Sequence, residues 1–206
     1  MKITRYFQSC LLIEEVVARI LIDPSAQEKD RQKDFAKLDA VLYTHEHSDH
    51  FDAELAKVFM EAGVPIYANA STAKLIDGKV NVVSGGHELT INYQKIKAVE
   101  LPHCPMPDGS PGPQNTGYLI NGYFFHPGDG KELADLQVKH MALPITGPDI
   151  SMKDAFSFAK QLGVNRALAI HYDGLGAKPE VYAGFAERLS MPFKLISLGV
   201  GQTVEL

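Results

Sequence analysis

The chain has no tryptophan and only two cysteines, Cys10 and Cys104, in 206 residues. Two thiols are too few for a disulfide framework, so a reducing cytoplasm is the expected location. Long hydrophobic runs are missing too. No stretch reaches the roughly 18 apolar residues that a membrane-spanning helix needs, so no membrane span is expected. The opening "MKITRYFQSCLLIEE" lacks the apolar core and small-residue cleavage site of a secretion signal. Nor is positive charge in excess: 20 Lys and Arg stand against 25 Asp and Glu, a formal net charge of -5. That balance argues against nucleic-acid binding through a broad basic surface and leaves a small molecule as the expected partner. The chain shows no repeat at fixed period, no low-complexity tract and no linker. A single domain over 1–206 is therefore expected, long enough to bury a substantial core, and a homo-oligomer is compatible with it.

What is there reads first as β. "KITRYFQ", "SCLLIEE" and "ARILIDP" are short and rich in apolar and β-branched residues, and Asp23-Pro24 ends the third. The charged stretch "SAQEKDRQKDFAKL" reads as a solvated, mobile connection to the buried strand "DAVLYT". Leu55, Val58, Phe59 and Ala62 fall on one helical face, which Asp52 caps and Gly63 with Pro65 stops. More strands follow in "VPIYA", "VNVVS", "HELTI" and "YQKIKAVEL". The proline-rich "PHCPMPDGSPGPQ" can join neither ladder nor helix and is a loop. "NTGYLIN" and "YFFHP" form a hairpin through Asn121-Gly122. Then helices and strands alternate: "KELADLQV" as helix, "KHMALPI" as strand, "SMKDAFSFAKQLG" as helix, "VNRALAIH" as strand, "KPEVYAGFAERL" as helix and "FKLIS" as strand. Many strands with helices outside predict an α/β layered fold.

The segment "YTHEHSDHFD" puts three of the chain's eight histidines, and two aspartates, into ten residues at the end of a strand. Alternate residues of an extended chain face the same way, so His45 and His47 can aim at one point. Asp49 and His50 follow in the turn before Asp52. The spacing supplies two imidazoles for one ion and a carboxylate with an imidazole for a neighbour, donors that suit zinc, manganese or iron. Four side chains from one turn cannot close two sites. Further donors are expected at other strand ends, where His103, Asp129 (between Gly128 and Gly130) and His171 stand.

The motifs "THEHSDH", "LPHCP", "HPGD" and "AIHYD", in that order, resemble those of the metallo-β-lactamase fold superfamily. Within it the chain is similar to the short hydrolases grouped around ascorbate-phosphate lactonases, over about Ile3 to Leu198, the opening "SCLLIEEVVARILIDP" included. The resemblance implies a four-layer αβ/βα sandwich with a two-metal site at one edge. It implies that His45, His47 and His103 hold one ion, that Asp49, His50 and His171 hold the other, and that Asp129 bridges them. It departs where Gly130 follows the bridging aspartate in place of Thr or Ser, and where Pro102 and Cys104 flank His103.

Two divalent ions sharing a water would lower its pKa towards ~7, and would polarise a carbonyl or phosphoryl oxygen. Asp49 would then serve as the catalytic carboxylate, orienting the nucleophile or passing a proton to the leaving group. The expected activity is hydrolysis of an ester-type bond (lactone, ester or phosphodiester) in a small metabolite, with zinc or manganese, or alternatively iron. An iron-dependent oxidoreductase and a metal-stabilised binding module without turnover are the competing classes. Glu46 and Ser48 face away and take structural roles. His87, His126 and His140 are more often packed than ligating. Tyr172 and Asp173 adjoin a ligand and lie within reach of substrate, though Tyr172 equally fits a core position. Cys104 fits a small packed residue, and Asp23 a partner for a ligand histidine.

Overall fold

Alternation along single strands decides the architecture. In the strand containing Ile20, Leu21 and Ile22, all three are buried, yet Ile20 and Ile22 face one apolar cluster while Leu21 faces another. A strand buried on both faces must lie between two packed layers. The computed structural model, which describes residues 1–206, has that arrangement.

The first half of the chain forms β1 (Lys2–Arg5), β2 (Leu11–Glu15), β3 (Ala18–Ile22), β4 (Ala40–Tyr43), β5 (Ile66–Ala68) and β6 (Val80–Val82), with α1 (Ala53–Glu61) and α2 (Ala70–Ala73) between them. The second half forms β7 (Glu88–Ile91), β8 (Gln94–Glu100), β9 (Thr116–Ile120), β10 (Phe124–His126), β11 (His140–Pro144), β12 (Arg166–Ile170) and β13 (Lys194–Ile196), with α3 (Met152–Gln161) and α4 (Pro179–Arg188). A last strand, β14 (Thr203–Glu205), returns to pair with β1. Two seven-stranded mixed sheets result, ordered β14-β1-β2-β3-β4-β5-β6 and β13-β12-β11-β10-β9-β8-β7.

Three apolar clusters separate four layers. Ile3, Ile13, Ile20 and Leu42 of the first sheet meet Ile96, Tyr118, Phe124 and Leu168 of the second, face to face. The outer face of the first sheet, with Leu21 and Val41, packs on Leu55 and Phe59 of α1. The outer face of the second, with Met141 and Ala167, packs on Phe158 of α3 and Ala186 of α4. This is the αβ/βα sandwich. No helix is long and apolar enough to cross a membrane.

Two expectations fail locally. Residues 131–138 form no helix: Asp135 adopts φ 60°, and the Val138 amide donates to the Leu162 carbonyl at the end of α3 instead of within its own turn. Leu133 and Leu136 pack on the outer cluster of the second sheet, so tertiary burial overrides helix propensity. The charged connection is solvated, with only Glu28 of its charge run buried, but it is not an irregular loop. It forms 3-10 turns over Ala26–Phe35 opened by a capping box, in which Ser25 and Glu28 satisfy each other's backbone groups. Its last residue, Phe35, is buried edge-on against Tyr6 and Phe59.

The two sheets are pinned together at one end. The Thr116 amide donates to the Thr44 carbonyl at 3.0 Å, and the Tyr118 hydroxyl donates to the Tyr43 carbonyl at 2.8 Å. That end is where β4, β8, β10 and β12 stop.

Candidate metal centre

Beyond Tyr43 the chain leaves β4 and turns before α1. The turn is closed by the His50 and Phe51 amides, both donating to the His47 carbonyl at 2.9 Å, and Asp52 caps α1 by accepting from the Leu55 amide at 2.8 Å. His45, His47, Asp49 and His50 therefore project from one short segment. The second sheet delivers the rest: His103 after β8, Asp129 after β10 and His171 after β12.

All seven side chains converge. Donor atoms of His45, His47, His103 and Asp129 lie within 4.8 Å of one another, and those of Asp49, His50 and His171 do the same. Asp129 sits between the groups. Its Oδ2 is 3.5 Å from His103 Nε2 and 3.2 Å from His171 Nε2, while Oδ1 is 3.2 Å from His50 Nε2. The geometry thus joins the residues into one cluster with the aspartate in the middle.

Four of the five imidazoles are held from behind through Nδ1. His50 pairs with Asp23 Oδ2 at 2.8 Å, His171 with the Thr146 carbonyl at 2.8 Å, and His103 with the Cys104 carbonyl at 2.5 Å. His45 meets Thr44 Oγ1 at 3.0 Å, whose hydroxyl donates onward to Asp23 Oδ2 at 2.7 Å. An Nδ1–H donated to an oxygen leaves the Nε2 lone pair facing the cluster. There the demand is unmet: Nε2 of His45 and His103 are buried without a hydrogen-bond partner, and Nε2 of His50 and Oδ1 of Asp129, although 3.2 Å apart, are not aligned for a hydrogen bond. Orphaned buried polar atoms of this kind cost about 1–3 kcal/mol each. Four of them aimed at one small region form a donor set that suits divalent cations.

The electrostatics agree. Burial works against a charged Asp129, but His171 and His50 beside it hold its carboxyl well below the usual carboxylate range. Asp49 is likewise held low against burial by its contact with His171. Burial opposes protonation of His50 and His103 also, yet Asp129 raises both, His103 to about 10. His45 and His47 go the other way, depressed by burial and by their imidazole neighbours. The carboxylates thus demand positive charge here, and protons on His50, His103 and His171 supply it. Ions would displace those protons.

The remaining sequence candidates fall outside the cluster. His126 is buried, with Nε2 on the Ser9 carbonyl at 2.9 Å and Nδ1 accepting from the Gly128 amide. His87 is exposed beside Ser84, and His140 begins β11. Cys104 is buried in the apolar cluster under the second sheet. Tyr172 is core: it stacks beneath the Arg5 guanidinium and its hydroxyl donates to the Leu198 carbonyl at 2.5 Å. Asp173 pairs with Arg5. Glu46 accepts from Ser71 and Thr72, which fastens α2 beneath the turn. Gly130 packs so tightly that a Cβ there would sit 2.3 Å from Leu101 Cδ1, so Ser or Thr after Asp129 would require Leu101 to move.

Several contributors left no mark in the sequence. Gln8 donates Nε2 to Asp49 Oδ2 at 3.2 Å from the turn after β1, in a stretch that reads as plain strand. Asn69 donates to the carbonyls of Thr44 and Gln114, both at 2.9 Å, and so ties the end of the proline-rich loop to the end of β4. Thr44 had one legible signal, its place directly before His45.

Known proteins resemble this chain in sequence and fold. The family model described as "Beta-lactamase superfamily domain" matches residues 2–171. A UPF0173 metal-dependent hydrolase of Christiangramia forsetii is 28% identical, covering 100% of both chains. Protein Rv0786c of Mycobacterium tuberculosis is 28% identical over 83% of this chain and 84% of its own. Among solved structures, Igni18, a metallo hydrolase from Ignicoccus hospitalis, superposes with a TM-score of 0.79 at 22% identity, over 98% of this chain and 97% of that one. The family match spans most of the chain and the whole sandwich recurs in that neighbour: the chain belongs to the beta-lactamase superfamily domain family and has the metallo-β-lactamase fold.

Proposed function

We propose that the protein is a metal-dependent hydrolase that binds two divalent ions, zinc or manganese, and cleaves an ester-type bond in a small molecule. The observation that carries this reading is the set of buried, unpartnered Nε2 and carboxylate atoms converging from both sheets on one region. Relatives named metal-dependent hydrolases support it. His45, His47 and His103 would hold one ion and Asp49, His50 and His171 the other, with Asp129 shared. Bound there, the ions would supply an acidified water and polarise the substrate's carbonyl or phosphoryl oxygen.

The chain's own residues supply the rest. His47 and Asp49 are the members left partly open to solvent, so substrate enters on their side. The Asp49 carboxyl is kept ionised, and no hydrogen bond occupies its Oδ1. It would orient the attacking water and relay its proton to the leaving oxygen as the ester bond breaks, so the proton balance would close within the site. The imidazoles, locked through Nδ1, keep their geometry throughout.

The test begins with metal counting by plasma mass spectrometry on protein purified without chelator. It continues with a panel of lactones, phosphodiesters and carboxylic esters assayed with zinc, manganese and iron. About two ions per chain and turnover of one ester class support the reading. Asp49→Asn is then expected to lower turnover by about 10²–10⁴. One tightly held iron with oxygen consumption would move the assignment to an oxidoreductase. No ion after supplementation would overturn it.

A further inference from the structure

We infer that Gln8 is a positioning residue for the Asp49–His50–His171 group alone, and that it sets the affinity of the second ion relative to the first. The inference rests on the two-ion reading above.

Gln8 uses every polar group it has. Its backbone amide donates to Asp173 Oδ2 at 2.7 Å, and its carbonyl accepts from the His171 amide at 3.0 Å. Its side-chain oxygen accepts from the Gly174 amide at 3.1 Å, and its side-chain nitrogen donates to Asp49 Oδ2 at 3.2 Å. The residue is 2% exposed and holds φ 51°, a left-handed conformation that disfavours any residue with a side chain. Such strain persists where surrounding contacts over-determine it. Here they do: Asp173, which holds the Gln8 amide, is itself held by the fully buried Arg5 of β1.

The brace therefore runs from β1 of the first sheet, through Gln8, to the loop after β12 of the second. It ends on two members of one group, Asp49 and His171. No hydrogen bond of Gln8 reaches His45, His47 or His103.

Asp49 shows why this matters. Two side-chain contacts fix its Oδ2, from Gln8 and from His171 Nε2 at 3.1 Å. A nitrogen whose lone pair faces an ion cannot also donate to a carboxylate, so ion binding removes the His171 contact. Gln8 is then the one side-chain anchor left on a carboxylate in a partly exposed turn. Losing such an anchor behind a ligand commonly weakens metal binding by about 10–100-fold.

The experiment is a titration of metal-free protein with zinc chloride and, separately, manganese chloride, against a chromophoric chelator. Wild type, Gln8→Leu and Gln8→Glu are compared, with circular dichroism to confirm the fold. Gln8→Glu keeps the size and the acceptor for Gly174 but sets a carboxylate against Asp49, which keeps the test alive if Gln8→Leu misfolds. Both variants are expected to bind the first ion as wild type does and the second about 10–100-fold more weakly. Equal weakening of both ions would reduce Gln8 to a general structural residue and overturn the inference. Wild-type affinity for both ions would overturn it as well. If the wild type itself takes up only one ion, the two-ion reading is what has failed, and the inference falls with it.

Discussion

At Asp23 the chain enters a left-handed turn, φ 51°, and buries a carboxylate completely. Its two oxygens accept from the Thr44 amide at 2.7 Å, the Thr44 hydroxyl at 2.7 Å and His50 Nδ1 at 2.8 Å. Through Thr44 it also orients His45, so one carboxylate lies behind a histidine of each proposed ion site. Asp23→Ala strands these donors in a dry interior, where one unsatisfied group costs about 1–3 kcal/mol. Urea unfolding should show a loss of about 3 kcal/mol, and chelator competition a 10–100-fold loss of ion affinity. An unchanged denaturation midpoint with unchanged affinity would mean that other groups orient His45 and His50. At this scale the sequence was legible where chemistry is dense. His45, His47, Asp49 and His50 announce themselves by adjacency, and His103, Asp129 and His171 by standing at strand ends. Gln8 could not be found that way. A glutamine amide has no spacing signature, and its partners lie 41 and more than 160 residues away in the chain.

Among the elements, the proline-rich loop shows what propensity can and cannot say. Five prolines and two glycines forbid regular structure over 102–114, which fixes the segment as loop but leaves its path open. Its path folds Gly112 onto the ring of His103, where a Cβ would come within 2.2 Å of Nδ1. That space is closed to any side chain. Gly112→Ala must therefore push the imidazole off its Cys104 contact or lift the loop, an overpacking that costs about 1–3 kcal/mol. The expected result is weaker binding of the ion assigned to His45, His47 and His103, with secondary structure unchanged by circular dichroism. Wild-type affinity in that variant would show that the loop yields and does not hold His103. The two misread segments have the same origin. Leu133 and Leu136 give 131–138 a helical look, but both are spent on the outer cluster of the second sheet. The Ser25 and Glu28 pair was a readable capping signal, masked by the charge run that follows it.

For the whole molecule, the layered α/β class follows from strand runs and helix caps, whereas closure of the sandwich does not. β14 is three residues long, and it completes the first sheet only by pairing with β1 at the other end of the chain. Such pairing leaves no local trace. The same long-range closure gives ions leverage over stability. Four of the seven donors hang from the first sheet and three from the second, so bound ions would cross-link the two halves at one edge. An ion that binds only the folded state adds RT ln(1 + [L]/Kd), about 2.7 kcal/mol at a free concentration ~100 times Kd. For a chain of this length 1 kcal/mol moves the midpoint by about 2–4 °C, so chelation should lower Tm by roughly 5–11 °C per ion lost. Calorimetry of the protein with excess manganese, then with a chelator, checks this. Removing the ions also restores repulsion among His50, His103 and His171, whose pKa values the neighbouring carboxylates raise. If the two scans coincide, the seven side chains do not bind ions in the folded protein, and their convergence from two sheets would need another cause.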